Sequence, residues 1–329
     1  MKSDAPSDKE LRKIFFDIVE GFSDMETALG ECTIKHFNNH DQHALEQHHE
    51  DIYNKAKKNG LPTEKESLEL LREEDLWSEE EEGKLTELKS YRDNLSSTKK
   101  NLIIPSQIEN INEDIKKADK DYSDLFVKRQ SLLTETCESY AKNKNNDYSI
   151  YLCLYDRKDK DKKFLDWDEF CELPKTQLGE LFNDYISSSK HLSLSNIKYL
   201  AISPMFSSYY NLLGSKNLHD FFKKPVYELT FYQLNLLNYT KVLNSILENV
   251  EGIPESIKSN PDDLIDYAES KQKNKNVVEK SKDKQGFSVV GATKKDMDEM
   301  GVSDELAVSP FELAKKKGSL TIEDFQNMS

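Results

Sequence analysis

The sequence predicts a mainly α protein: an antiparallel helical hairpin of coiled-coil character, a compact helical unit with a small β-hairpin, and a disordered C-terminal tail. Three observations predict it. Apolar residues Ile108, Ile111, Ile115, Ala118, Tyr122 and Leu125 step by three and four in alternation, the spacing of a coiled-coil seam. Thr63 with Glu66, and Ser78 with Glu81, carry the Ser/Thr-x-x-Glu signature in which each side chain satisfies an orphan amide at a helix start. Eleven glycines in 329 residues are too few for a glycine-rich nucleotide fold or a typical β-barrel.

Taken in order, Leu11, Ile14, Phe15, Ile18 and Val19 recur at helical spacing, which predicts a helix from Asp8 to Glu20, stopped by Gly21. Residues 22–32 are ambiguous, with a short extended pair around Gly30 as one reading. A helix starting at Thr33 or Asn39 runs to Asn59 and closes at Gly60. Ser78 to Leu102 carries Leu85, Leu88, Leu95 and Leu102 along one seam. Pro105 to Asn143 carries the second, resuming at Leu132. The break at Ile104, Pro105 and Ser106 is short, and proline at a first helical position has no amide to lose. Such a pair folds back as an antiparallel hairpin roughly 35 Å long.

Beyond Asp147 the period changes. Ile150, Leu152 and Leu154 alternate with Tyr151, Cys153 and Tyr155, which predicts a strand, with Phe164 to Trp167 as its return. Helical patterns resume at Lys175 to Ser189, Ser193 to Ser203, Asn217 to Phe222 and Thr230 to Asn249. The last holds Leu234, Leu237, Val242, Leu243, Ile246 and Leu247, the expected core helix of a second unit. Asn260 before Pro261 caps one more short helix, Asp262 to Ser270. Four segments are therefore expected: 1–77, an N-terminal helical segment; 78–143, the hairpin; 148–270, a mainly helical domain; and 271–329, a flexible tail.

Charge excludes some partners. The chain has 61 acidic against 46 basic side chains, and the stretch from Glu64 to Glu82 alone holds a net −8. A surface this acidic repels phosphate backbones, so general nucleic-acid binding is not expected. Lys271 to Lys284 is the exception at +4, read as a solvated linker. No apolar run approaches a membrane span, no signal peptide is evident in the first 20 residues, and four unpaired cysteines fit a reducing compartment, so a soluble intracellular protein, or one packaged from inside a cell, is expected.

Chemistry is sparse. His36, His40 and His43 fall at i, i+4 and i+7 within a cluster that includes His48 and His49, a spacing that holds a transition metal on one helical face. The cluster lacks HExxH and most intervening positions are polar, so a solvated face is the preferred reading and no cofactor is expected. Asp156, Asp159, Asp161, Asp166 and Asp168 miss the calcium-loop register, because Phe164 stands where glycine is needed. Cys137 and Cys153 read as small packed residues, and Trp77 and Trp167 as core anchors. Walker A, GxGxxG and GxSxG motifs are absent from the sequence.

Several stretches, Ile34-Lys35-His36-Phe37, Asp41-Gln42, Ala56 to Glu64, Leu76-Trp77, Pro105-Ser106-Gln107, Phe221 to Pro225 and Leu229-Thr230, carry a resemblance. Over residues 8–270 the chain resembles structural proteins of T-even-like contractile-tailed phages of marine bacteria. The resemblance implies a virion or tail-assembly role without catalytic residues. The expected function is a non-enzymatic structural or tail/baseplate assembly protein whose partners are other virion or tail proteins, with self-association as a further possibility. Expected contact residues are Ile103, Ile104 and Pro105 at the hairpin tip and Phe287, Phe311 and Phe325 in the tail. Two alternatives stand beside it: a metal-dependent helical enzyme using His36, His40 and His43, and a transcription-associated adaptor acting through its tail.

Overall fold

The computed structural model describes residues 5–102, 104–213 and 221–281. The chain is mostly helical with one small antiparallel sheet of three strands. It divides into two compact units. Unit 1 joins residues 1–64 to 135–267, and unit 2 joins residues 65–134 to 268–329. The N-terminal segment thus closes with the second half of the chain, and the boundary falls at 64/65, before the expected 77/78.

In unit 1, α1 (Asp8–Glu20) starts on a Ser7–Glu10 capping box and ends at Gly21, whose φ of 76° is the left-handed conformation glycine adopts without strain. Strands β1 (Phe22–Thr27) and β2 (Gly30–Lys35) form a hairpin in which Thr27 faces Gly30. The extended pair around Gly30 is therefore real. Helix α2 (Asn39–Lys58) starts at Asn38, whose side chain accepts from the amides of His40 and Asp41. The later of the two expected starts is the observed one.

Helix α6 (Cys137–Cys153) corrects the expected strand. Ile150, Cys153 and Leu154 are the buried residues, at i, i+3 and i+4, so the segment obeys the helical period to Cys153. Only β3 (Leu154–Asp156) is extended, and it pairs with β2 through Cys32↔Asp156, Thr33↔Tyr155 and Ile34↔Leu154. The expected return strand is reduced to a single bridge between Tyr155 and Lys163, and Trp167 begins a helix instead. The Lys163 ammonium donates to the carbonyls of Leu152 and Tyr151 at the end of α6 and lies 3.9 Å from the Tyr155 ring centroid. A cation there complements the negative helix end.

The rest of unit 1 is α7 (Trp167–Glu172), α8 (Lys175–Ser189), α9 (Leu194–Ile202), α10 (Pro204–Leu213), α11 (Phe231–Asn249) and α12 (Glu255–Lys258). Helix α13 (Pro261–Ser281) continues from it, so the stretch from Lys271 to Ser281 is helical where a tail was expected. One core gathers Ile14 and Ile18 of α1, Ile197 and Leu200 of α9, Phe206, and Leu236 and Leu243 of α11. A second gathers Met25, Cys32 and Ile34 of the sheet with Ile150, Phe170 and Leu181. On α11 the buried face is Gln233, Leu236, Leu237, Thr240 and Leu243, whereas the expected core residues Val242 and Leu247 are exposed. Gln233 explains this rotation. Its amide group donates to the Ile18 carbonyl at 2.8 Å and accepts from the Thr230 amide, tying the start of α11 to the end of α1.

In unit 2, α3 (Glu64–Glu73) leads to α4 (Glu79–Asn101) and α5 (Pro105–Leu132). The Ser78–Glu81 capping box forms, and Pro105 takes the first position of α5. Glu82 meets Arg129, and Arg92 meets Asp119, so the two helices run antiparallel. The second arm ends at Leu132, short of the expected Asn143, because Thr136 caps a new helix through a box with Ser139.

Candidate functional site

The seam of the α4–α5 hairpin buries Leu85, Ile111 and Ala118, with Leu88, Leu95, Ile108 and Ile115 half-buried. Outside that stripe the two helices are open to solvent, and Tyr91 (50% exposed), Phe126 and Val127 (62%) offer apolar surface there. At the base, Arg129 donates to both oxygens of Glu82, which also accepts from the Trp77 indole at 2.8 Å. Lys128 lies over the Trp77 ring and pairs with Glu81 at 2.6 Å. Burial pushes the Glu82 carboxyl up, but the bonds from Arg129 and Trp77 outweigh it and hold it below the ordinary value. The base of the hairpin is thus fixed by a charged and aromatic knot around a small core of Leu68, Leu71 and Trp77.

Of the expected contact residues, Ile104 is buried at 5% exposure, because it ends the short link between the helices and turns inward. It offers no contact surface. Pro105 starts α5, while Ile103, Phe287, Phe311 and Phe325 lie outside the described residues.

The histidine arrangement differs from the metal-site reading. His36 precedes the Asn38 cap, so it lies off α2, whereas His40 and His43 belong to that helix together with His48 and His49. His36 is buried against the Tyr232 ring, its Nε2 2.8 Å from the Ser23 hydroxyl and its Nδ1 without a hydrogen-bond partner. Burial pushes its pKa down to about 4, offset in part by Asp17 and reinforced by His191 and Lys224. His48 is placed differently again, stacked on Tyr148 at 4.0 Å. Among the described residues, no group of three His, Cys, Asp or Glu side chains is placed to hold a metal ion.

The Ser23–His36 pair has the spacing of a nucleophile and its base. Both side chains are buried, and Asp17 bonds His191 at 2.7 Å rather than the free His36 nitrogen. The pair pins β1 to the residue after β2. The acidic loop after β3 is likewise internally committed. Asp156 accepts from the amides of Lys158 and Asp159, and Arg157 bridges Asp24 and Glu31. A cleft lined by Thr27, Leu29, Gln177, Leu181 and Asp184 encloses about 10 Å³, against the roughly 300–1,000 Å³ of ordinary small-molecule sites.

Sequence reasoning missed one surface feature. Trp167, expected as a core anchor, is 37% exposed, whereas Trp77 is fully buried. Trp167 sits at the first position of a six-residue helix, whose buried side chain is Phe170, and so faces outward. No described helix is long and apolar enough to cross a membrane. Set against protein-family models, curated proteins and solved structures, the chain matches none of them.

Proposed function

We propose that the chain is a non-enzymatic structural or tail/baseplate assembly protein of a contractile-tailed phage, acting through contacts with other virion or tail proteins. The observation that carries this reading is the α4–α5 hairpin. Helices of 23 and 28 residues share one narrow seam and leave Tyr91, Phe126 and Val127 exposed to solvent. The sequence resemblance supplies the kind of partner. A net charge of −15 argues against packaged nucleic acid as the ligand.

The test is capture of tagged protein from infected cells, with mass spectrometry of what comes with it and of purified particles. Recovery of tail or baseplate proteins, lost when Tyr91, Phe126 and Val127 are replaced by serine, supports the reading. Recovery of polymerase subunits alone, or no virion protein in either sample, overturns it.

A further inference from the structure

Trp167 is the centre of an aromatic cluster on unit 1 that stays open to water. The Tyr151 and Tyr148 rings meet it edge-on at 4.8 and 5.4 Å, and Phe170 stacks at 5.9 Å. His48 then stacks on Tyr148. These contacts fix the indole in place yet leave more than a third of it exposed. A rigid, half-exposed indole is the kind of group that anchors interfaces, because little side-chain entropy remains to be lost on binding.

Two exposed carboxylates flank Trp167 along the chain. Asp166 caps α7, Asp168 lies in its first turn, and both are exposed. Burial, then Tyr148 and Asp166, push the Tyr151 phenol up. The neighbouring Cys171 thiol is pushed up by burial, pulled down by Lys144, and raised further by Asp168 and Asp147. Lys144 pairs with Asp147 at 3.4 Å and Lys163 lies over the Tyr151 ring at 5.2 Å, whereas Asp166 and Asp168, on either side of Trp167 in the chain, are exposed. An electron-rich indole flanked by negative charge suits a desolvated cation, preferably a guanidinium.

We propose that this face docks an arginine- or lysine-rich segment of a partner protein, seating a cation on the Trp167 ring with Asp166 and Asp168 as its counter-ions. The surface belongs to unit 1 and is testable on purified protein, so its failure is distinct from failure of the virion reading.

The probe is a capped peptide of alternating arginine and glycine. Two readouts report on this face. In a Trp77→Phe background the emission belongs to Trp167. In the unaltered chain, Cys171 is the one exposed cysteine, so its rate of modification by a thiol reagent reports occupancy even if Trp77→Phe fails to fold. The expected result is saturable quenching with slowed Cys171 modification, and binding about tenfold weaker in Asp166→Asn/Asp168→Asn and in Trp167→Leu. Glu79→Gln/Glu80→Gln, which removes the same charge from α4, is expected to bind normally. Equal weakening in both charge variants means attraction to net charge alone and overturns the proposal. So does binding that leaves Cys171 unprotected, or a Cys171 already shielded before peptide is added, which would place a segment of this chain or a second copy on the face.

Discussion

Arg129 clasps Glu82 through two hydrogen bonds, Nε at 2.8 Å and Nη2 at 3.1 Å, and this pair joins the last turn of α5 to the first turn of α4. Arg129 is almost wholly buried, and Glu82 meets it with both carboxylate oxygens. Replacing Glu82 with glutamine should cost about 3 kcal/mol, because a buried guanidinium loses this two-point charged contact. Replacing both, as Glu82→Met/Arg129→Met, should recover most of the loss. Urea denaturation followed by helix ellipticity checks both outcomes.

His36 predicts a pH dependence of unit 1. Its folded pKa of about 4 lies below the ordinary 6.5, so the unfolded chain binds the proton more readily. The stabilisation is complete above pH 6.5 and is lost as pH falls from there through 4, by about 3 kcal/mol in total. Asp17, His191 and Lys224 are the charged neighbours, and they persist in His36→Gln. That variant should flatten the slope of unfolding free energy between pH 6.5 and 4 measured in urea.

Gln233 joins α11 to α1 with no exposure to water. Substitution by alanine leaves the buried Thr230 amide unsatisfied and takes one of two donors from the Ile18 carbonyl, which keeps the Gly21 amide, and this should cost about 2 kcal/mol. A lowered melting temperature, with unchanged far-ultraviolet ellipticity at 20 °C, is the expected signature. No loss of stability would mean that water replaces both bonds.

The residues flanking the inserted hairpin are stapled within unit 1. Cys137 donates its amide to the Pro62 carbonyl at 2.9 Å, and the Glu64 amide donates to Glu138 at 2.8 Å. Excising residues 65–134 and closing the gap with a short glycine-serine linker should therefore leave unit 1 folded. Retention of slow amide exchange in α9 and α11 is the expected outcome. The same variant should lose the partners captured through Tyr91, Phe126 and Val127.

Helix ends were legible wherever the capping chemistry is local. Gly21 after α1, Ser78 with Glu81, and Thr230 mark boundaries through bonds spanning four residues or fewer, and Pro105 marks one through its fixed φ and missing amide hydrogen. Thr136 escaped notice because its partner in the box is Ser139, not glutamate or glutamine. The segment Ile150 to Leu154 fits both a two-residue and a three-to-four-residue period. Which period holds depends on packing against Met25 and Ile34, more than a hundred residues away. The placement of His36 is equally nonlocal, since Ser23 and Tyr232 reach it from distant elements. The hairpin was readable as a seam, but the inward turn of Ile104 and the outward turn of Trp167 depend on neighbours that spacing does not reveal.

The pairing of β2 with β3 sets a schedule for biosynthesis. Ile34 meets Leu154 only after about 120 further residues have been translated, an interval of roughly ten seconds at ordinary elongation rates. Throughout it, the nascent hairpin carries Cys32 and Ile34 on an uncovered apolar edge, open to promiscuous association in a crowded cytosol. Recombinant yield should therefore track decoding speed across codons 65–134, and slow codons there would favour inclusion bodies.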